Sequence, residues 1–568
     1  MRALERVFPA SGWIRRYSWH DLPKDLTAAA ILASILIPQG MAYALLAGLP
    51  PQYGLYASTV PVVLYALFGT SRHLPVGPYA ITSLLTFTAV SSMAQPGSSR
   101  YISLVLLLAL MVGVVQLVMG LARMGFIVNF VSHPVLSGFI YASAITIMLS
   151  QVGALLGLPV SSEATAFGTV LALARGIGGI SLPTATVGLV SLGALMVLGR
   201  LLPRVPAPLV LVVGSTLAVY LFGLRGSGVE VIGAVRPGLP DLSLPVVDTG
   251  SVRQLLPSAL IIAFVGFISS ISAAKEIATK ENYKIDSSQE LRALGVSNAS
   301  ASLFSGFPVA GSLSRIAVSY QWGARTQLAQ IGSALLVVVA LLFFTPTFEY
   351  LPNAALAAVI LAAVSGLLDV KEARRILKAR REDGLAFILA FVVTLLVGVE
   401  EGVIAGAVFA LLAFIRRTAY PTITELGYVA EEDAYLDLQR FPQAETYPGA
   451  LIVRFEADLY FANISFLEEW LISRVPDKPQ LEWIVINCRG INSIDVTAVE
   501  GLERLISDYR ERGIELILAG MKLPVSKQLE RAGWSKDPAW NASYRTTRDA
   551  LRDIGLLHGT GGSSAPHS

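Results

Sequence analysis

Long apolar runs separated by short polar segments make up the chain as far as about Ile415, where the pattern stops. Each run is long enough, or nearly long enough, to cross the hydrocarbon core of a bilayer as a helix. Beyond Arg416 the chain becomes an ordinary mixed-charge sequence. The apolar part therefore predicts an α-helical membrane domain of fourteen spans, approximately at residues 25–46, 53–70, 78–93, 101–124, 131–157, 182–202, 206–224, 251–274, 290–306, 312–323, 326–347, 353–367, 384–399 and 401–416.

The third and tenth spans are the shortest, and residues that break a helix precede both of them. They begin with Pro75-Val-Gly-Pro-Tyr-Ala-Ile81 and Phe307-Pro-Val-Ala-Gly-Ser-Leu-Ser-Arg315. Proline lacks the backbone N–H and glycine weakens a helix, so each span is expected to start as a half-helix. Because the short span comes third in each group of seven, the pattern predicts a 7+7 inverted repeat. Matched interruptions of this kind indicate a substrate site near the bilayer midplane.

Strand patterns alternate with helical patterns after the last span, which predicts a small α/β domain. The strand patterns lie at residues 450–455, 482–487 and 514–519. We predict five regions, namely a cytoplasmic N-terminal segment 1–24, a transmembrane transport domain 25–416, a linker 417–434, the α/β domain 435–555 and a disordered tail 556–568.

The turn Ile494-Asp-Val-Thr497 lies between a strand pattern and a helical pattern of the α/β domain. We expect Asp495 and Thr497 to cap the helix, because short oxygen-bearing side chains accept hydrogen bonds from the first N–H groups. A regulatory role, as a phosphoacceptor or a ligand contact, is the alternative.

Composition and charge placement agree with a membrane protein. At 54% hydrophobic and 15% charged residues, the 568-residue chain is too apolar for a soluble protein of this length. With the N-terminus placed in the cytoplasm, the inside segments hold most basic residues that flank the spans: Arg2, Arg6, Arg15, Arg16, Lys24, Lys275, Lys280, Lys284, Lys371, Arg374, Arg375, Lys378, Arg380 and Arg381. This bias predicts an integral protein of the cytoplasmic or inner membrane with both termini in the cytoplasm. We expect no signal peptide before the first span.

The sequence offers no chemistry for catalysis or for a cofactor. Cys488 is the only cysteine, so it forms no intramolecular disulfide and no thiolate cluster. We find no glycine-rich phosphate loop, no metal-ligand spacing and no nucleophile–base pair. We therefore expect no enzyme activity, no metal and no nucleic-acid partner, and we expect transport energy to come from ion gradients or exchange. Several scattered polar residues are predicted to be structural: His73, His133, Asp369, Glu400 and Glu401.

The two broken spans favour an anion. The first half-helix is expected to start near Pro78, and Ser312 or Ser314 is expected to cap the second. Each helix N-terminus carries about half a positive charge, so two of them and Arg315 give a field of about +2, which suits a small mono- or dianion. Arg315 is the main candidate because charged residues inside spans mark functional sites, although snorkelling or a structural pair with a carboxylate is the alternative.

The first span carries Ile37-Pro-Gln-Gly-Met-Ala-Tyr43, in which Gln39 and Tyr43 lie one turn apart on a common face. This face would close the anion pocket. The alternative is a kinked packing helix whose Gln39 bonds to a neighbouring span.

Several motifs together resemble the SulP (sulfate permease) anion transporters, the group that includes prestin. They are Pro38-Gln-Gly-Met-Ala-Tyr43, Ser132-His-Pro-Val135, Ser312-Leu-Ser-Arg315 and the segment 274–298. Leu459-Tyr-Phe-Ala-Asn463 and the turn at 494–497 are similar to the STAS domain that follows the membrane domain in that family. The resemblance covers essentially the whole chain.

This resemblance implies an inverted-repeat membrane domain in which a core moves against a gate, a homodimer, and a central anion site between the third and tenth helices. The predicted site residues are Gln39, Tyr43, Gly77, Tyr79, Ala80, Ser312, Leu313, Ser314 and Arg315. One position departs from the family. Many cation-coupled members carry a carboxylate in the eighth helix where this chain has Ser269, so coupling to H⁺ or Na⁺ through that position is in doubt.

Two classes of function follow. The first is a secondary active transporter that moves sulfate, a dicarboxylate such as fumarate, or bicarbonate by alternating access. The second is a channel-like or sensory membrane protein that signals to a cytoplasmic partner through its STAS domain. A nucleobase permease shares the expected architecture, but a cation at the midplane argues for an anionic substrate.

Overall fold

A helix forms at the position of every predicted span. The computed structural model describes residues 8–130, 132–158, 166–202, 205–534 and 543–557, and its contacts divide the chain into two compact units, Met1–Ala410 and Leu411–Ser568. The helices up to the end of the apolar region are α1 Ala10–Arg15, α2 Leu22–Leu46, α3 Gln52–Tyr56, α4 Val60–Phe68, α5 Ala80–Ser91, α6 Ser99–Leu121, α7 His133–Leu156, α8 Ala166–Gly176, α9 Leu182–Leu201, α10 Ala207–Leu221, α11 Thr249–Lys280, α12 Ser287–Leu303, α13 Leu313–Gln321, α14 Leu328–Phe343, α15 Asn353–Ser365, α16 Val370–Ala379, α17 Arg381–Leu396 and α18 Val399–Ala419. Within the described ranges, six helical segments are long and apolar enough to cross a membrane on their own.

Three local features differ from the sequence prediction. The span predicted at 53–70 is two short helices, α3 and α4, because the hydroxyls of Ser58 and Thr59 bond to carbonyls of the preceding turn and Pro61 has no N–H to donate. Helix α8 was not predicted as an element. Helix α16 was also missed, since its sequence is too charged to be recognised as a span.

Three of the polar residues that were predicted to be structural, Asp369, His133 and His73, have local partners. Asp369 caps α16 by accepting hydrogen bonds from two of its first N–H groups. His133 Nε2 lies 3.2 Å from a carboxylate oxygen of Glu372. His73 is buried, and its Nδ1 lies 3.2 Å from the hydroxyl of Tyr283. The first turn of α18 contains Glu400 and Glu401.

The second unit is a six-stranded mixed sheet with helices. The strands are β3 Ile423–Val429, β4 Ala434–Asp437, β5 Ala450–Phe455, β6 Trp483–Asn487, β7 Glu515–Ala519 and β8 Ser543–Tyr544, in the order β4-β3-β5-β6-β7-β8. Strand β3 is antiparallel to both of its neighbours, and β5 to β8 are parallel. The helices are α19 Ile464–Arg474, α20 Val496–Glu511, α21 Leu523–Arg531 and α22 Thr547–Asp553. This confirms the α/β domain and its three predicted strands.

The predicted linker at 417–434 is wrong, because β3 lies inside it. Residues Ile423, Thr424 and Glu425 pair with β5, and Leu426 is 2% exposed. Burial alternates along most of the strand, which is the period-two pattern of a sheet with one covered face. The sheet therefore begins at about residue 423 and not at 435. Of the predicted tail, only 556 and 557 lie within the described residues.

Of the two cap candidates in the turn at 494–497, Asp495 caps the helix and Thr497 does not. Asp495 is the N-cap of α20, and its Oδ1 accepts a hydrogen bond from the Ala498 N–H at 2.8 Å. Its Oδ2 accepts another from the Phe461 N–H at 3.0 Å, so both carboxylate oxygens are engaged. Thr497 is exposed in the first turn of the same helix. Burial raises the pKa of the Cys488 thiol to about 12, which leaves it as an unreactive core residue.

The position of β3 predicts where a soluble fragment must start. A fragment of residues 422–557 should unfold cooperatively on heating, whereas residues 435–557 should be destabilised by at least about 3 kcal/mol, since the shorter fragment lacks the buried Leu426 side chain and leaves β5 as an edge strand. Denaturant titrations followed by circular dichroism measure the difference. A fragment of residues 422–568, which differs from the first fragment only at its C-terminal end, is the control. Equal stability of the two shorter fragments would show that β3 is dispensable.

Candidate functional site

The two broken segments pair with each other across the two halves of the membrane unit. Strand β1 is Val76–Gly77 and β2 is Ala310–Gly311, and they form an antiparallel pair with Val76 opposite Gly311 and Gly77 opposite Ala310. All four residues are buried. We call this pair the strand bridge. Half-helices α5 and α13 both follow it directly, so their N-termini lie close together.

Polar side chains from neighbouring spans hold the strand bridge. The side-chain amide of Asn298 accepts from the Val309 N–H at 2.7 Å and donates to the Val309 carbonyl at 3.1 Å. The same amide donates to Gln116 Oε1 at 2.9 Å. Ser270 Oγ accepts from the Gly311 N–H at 2.7 Å. These bonds satisfy backbone groups that a broken helix leaves free in a region without water.

Each half-helix begins with a residue in an extended conformation. Tyr79 is the N-cap of α5, so the helix starts at Ala80 and not near Pro78 as the sequence predicted. Ser312 is the N-cap of α13, as predicted, and its Oγ accepts from the Arg315 N–H at 3.5 Å. Helices α2 and α11 pack against both half-helices. The N-terminal N–H groups of α5 and α13 therefore contribute partial positive charge to one enclosed region.

Arg315 is buried between the two halves with only part of its guanidinium satisfied. Its side chain is 1% exposed, and Nη1 donates to the Pro78 carbonyl at 2.6 Å. Among the described residues, Nε and Nη2 have no hydrogen-bond partner and the side chain forms no ion pair. A Cβ on Gly77 would lie 3.8 Å from Nη2. The snorkelling alternative is therefore wrong, since the cation points into the strand bridge.

Two buried tyrosines surround the guanidinium. Tyr43 and Tyr79 are each 5% exposed, and both lie close enough to Arg315 to interact with its charge. Ser269 is buried, and its hydroxyl lies within interaction distance of the Tyr79 hydroxyl. Gln39 Oε1, on the same helix as Tyr43, is buried and has no hydrogen-bond partner within the described ranges. Unsatisfied polar groups in a buried site are costly unless a ligand or water binds them.

The structure brings most of the predicted site residues close together, but they differ in how deeply they are buried. Tyr43, Gly77 and Tyr79 lie near Arg315, and Ser269 lies beside Tyr79. Ala80 and Leu313 are the first residues of the two half-helices, buried and half-buried respectively. Ser314 is exposed, and its hydroxyl lies 3.0 Å from that of Ser312.

Some residues that shape the site were not selected from the sequence. The carbonyl of Pro78 accepts from Arg315, and the side chains of Gln116, Ser270 and Asn298 organise the strand bridge. A polar side chain inside an apolar run was the available signal for all three, because such residues are retained only when paired or functional. In the parts of the chain that the structure covers, no group of three His, Cys, Asp or Glu side chains is arranged to hold a metal.

Two family models match the chain, and together they cover most of it. The sulfate permease family model matches residues 22–390, and the STAS domain model matches residues 441–550. Among relatives, "Sulfate transporter 4.1, chloroplastic" of Arabidopsis thaliana is 36% identical over 550 residues, which are 93% of this chain and 80% of the relative.

Solved structures share the fold. The murine Slc26a9 anion transporter, in a structure described as inward-facing, superposes with a TM-score of 0.89 at 23% identity and covers 97% of this chain and 94% of its own. The transmembrane domain of BicA, a cyanobacterial bicarbonate transporter, matches with a TM-score of 0.61 at 22% identity, over 70% of this chain and 98% of that domain. At these identities the likeness concerns the fold alone. The chain is thus a member of the sulfate permease family that carries a C-terminal STAS domain.

Proposed function

We propose that this protein carries small anions across a membrane and binds them between the N-termini of α5 and α13. One observation supports the proposal most strongly. Arg315 is buried with two guanidinium nitrogens, Nε and Nη2, that lack a partner among the described residues, beside two helix N-termini. An anion supplies the missing acceptors and is attracted by the helix dipoles.

The substrate class follows from charge and from the relatives. A site of this kind takes a small mono- or dianion, and the proposed substrates are sulfate, a dicarboxylate such as fumarate, and bicarbonate. Sulfate is the first choice because the curated relatives are named as sulfate transporters. The fold, shared with an anion transporter and a bicarbonate transporter, agrees with the anionic class.

We extend the proposal to how the protein works in its membrane. Transport is secondary active and proceeds by alternating access in a 7+7 inverted repeat. The protein works as a homodimer, with both termini in the cytoplasm, in the group of the family that includes prestin. The motifs at 38–43, 132–135 and 312–315 and the placement of basic residues support these features.

Uptake into liposomes tests the proposed function. Purified protein is reconstituted, and uptake of labelled sulfate, fumarate and bicarbonate is measured with and without unlabelled anion inside. We expect saturable uptake of at least one anion that unlabelled internal anion accelerates, since a carrier returns faster when loaded. Flux that does not saturate and shows no counterflow would contradict a carrier and support a channel.

The same liposomes test cation coupling. We propose that no cation bound at Ser269 is required, because its hydroxyl lacks the charge of a carboxylate and the site is already positive. Na⁺ and pH gradients are therefore imposed one at a time, and neither should be needed for sulfate exchange. Concentrative uptake driven by one gradient and abolished by Ser269→Ala would overturn the proposal.

A further inference from the structure

Helix α16 carries a separate basic surface outside the proposed anion site. Lys371, Arg374, Arg375 and Lys378 follow the spacing i, i+3, i+4 and i+7, so they form one continuous stripe along eight residues of the helix. All four side chains are exposed. Arg380 and Arg381 continue the positive charge at the end of the helix. We call the first four residues the basic stripe.

Two apolar side chains lie along one edge of the basic stripe. Val370 is 60% exposed and Leu377 is 46% exposed, and seven residues separate them, which is nearly two helical turns. A different face of α16 packs on the protein, where Ile376 contacts a cluster that includes Tyr141 and Phe387. The helix therefore has a docked face, an exposed apolar edge and an exposed basic stripe.

The nearest carboxylates on α16 itself are engaged elsewhere and do not pair with the basic stripe. Asp369 is engaged in capping α16, and the carboxylate of Glu372 lies against His133 and Ser137. No side chain of the stripe forms an ion pair within residues 8–557 where the structure describes them. Four exposed cations held this close together repel each other unless an anion lies beside them.

The neighbouring helices fix where this surface lies. Helix α15 ends at Ser365, and α17 starts at Arg381, so short turns connect α16 to an apolar helix on each side. The fifteen-residue gap between 365 and 381 leaves no room for α16 to move far from the ends of these helices. When α15 and α17 span a bilayer, α16 lies at the level of the lipid headgroups, with Val370 and Leu377 available to enter the acyl boundary.

We propose that the basic stripe of α16 binds the headgroups of phospholipids that carry a net negative charge, through their phosphate oxygens. Four adjacent cations beside two exposed apolar side chains are complementary to an anionic lipid surface, which offers phosphate oxygens and acyl carbon at one boundary. The binding anchors the connection between α15 and α17 to the bilayer. The occupant is the lipid and not free phosphate, since free phosphate gives Val370 and Leu377 nothing to contact.

A thermal-unfolding experiment on the purified full-length protein tests this. The probes are phosphatidylglycerol, phosphatidylcholine and inorganic phosphate, each added to detergent-solubilised protein at matched concentration. We expect phosphatidylglycerol to raise the Tm by about 5 °C more than phosphatidylcholine, through preferential binding to the folded state. Inorganic phosphate should produce no comparable rise. Salt at about 0.5 M should weaken the effect of the lipid, because a higher ionic strength shortens the Debye length and screens exposed charges.

The variant K371Q/R374Q/R375Q/K378Q should lose more than half of the rise caused by phosphatidylglycerol. The matched control R504Q/K527Q/R531Q/R552Q removes four exposed positive charges from the second unit and should behave like the unchanged protein. Equal responses of both variants, or an equal rise with inorganic phosphate, would overturn the proposal.

A labelling experiment covers the case in which the quadruple variant does not fold. A photoactivatable phosphatidylglycerol is crosslinked to the unchanged protein in liposomes, and the labelled peptides are mapped by mass spectrometry. We expect labelling within residues 370–381 that excess phosphatidylglycerol reduces and excess phosphatidylcholine does not. Labelling confined to other segments would contradict the assignment.

Discussion

Replacing Arg315 with alanine should lower the initial rate of anion uptake at subsaturating substrate by about 100-fold, which corresponds to about 2.7 kcal/mol. The expected loss combines charge-assisted hydrogen bonds from Nε and Nη2 with the removal of the only charged side chain identified at the site. The uptake rate of the Arg315→Lys variant should lie between those of the unchanged protein and the alanine variant, because lysine keeps the charge but cannot present two donors in one plane. Uptake into liposomes with equal amounts of protein measures all three.

The control separates a binding defect from a folding defect. Arg325→Ala removes an exposed arginine from the turn before α14, where it is the backbone N–H that bonds to Asp25, and should leave uptake unchanged. Arg315→Ala protein should elute at the same volume as the unchanged protein in size-exclusion chromatography. An alanine variant with normal rate and normal apparent affinity would show that Arg315 is not part of the site.

Replacing Gly54 with alanine should destabilise the membrane unit by about 3 kcal/mol or more, since overpacking against backbone is costly. A Cβ at this position would lie 1.8 Å from the Gly40 carbonyl oxygen and 2.3 Å from its carbon. Both are backbone atoms, so no side chain can rotate away. Helix α2 must shift, and α2 also carries Gln39 and Tyr43, so anion uptake should fall together with the Tm.

Gly193→Ala is the matched control for Gly54. Gly193 lies within α9, and a Cβ added there meets no atom within 4 Å. Alanine is the better helix former by about 0.5–1 kcal/mol, so the Tm should stay equal or rise slightly. Thermal unfolding of both purified variants beside the unchanged protein makes the comparison. A Gly54→Ala protein as stable as the Gly193→Ala protein would contradict close contact between α2 and α3.

The sequence predicted features that depend on local rules. Pro and Gly before α5 and α13 revealed two half-helices. The N-caps Ser312 of α13 and Asp495 of α20 were each one of two candidates that the sequence offered. Each of these follows from the chemistry of a few neighbouring residues. The three parallel strands β5 to β7 were also found, because short apolar runs between helical patterns are typical of a buried sheet.

Features that depend on distant contacts were not predictable. The strand bridge pairs Val76 with Gly311, and no pattern near either residue reveals the partner. The acceptor for Arg315 is a backbone carbonyl, that of Pro78, which has no signature in a sequence. Strand β3 was assigned to a linker because its sequence, Ile-Thr-Glu-Leu-Gly-Tyr-Val, does not alternate between apolar and polar residues in step with its burial. Local sequence rules thus identify candidate side chains, whereas their distant partners become visible only in the structure.

The strand bridge also affects whether the protein can bind the anion differently at the two faces of the membrane. Because β1 and β2 are hydrogen-bonded to each other, α5 and α13 cannot separate without leaving buried backbone groups unpaired. We therefore expect the two half-helices and Arg315 to move as one rigid cradle. Such a cradle offers the anion the same ligands in every state, so any difference in affinity between the two faces has to come from residues outside it. A variant that favours transport in one direction would therefore need substitutions at the two ends of the pathway and not in the cradle.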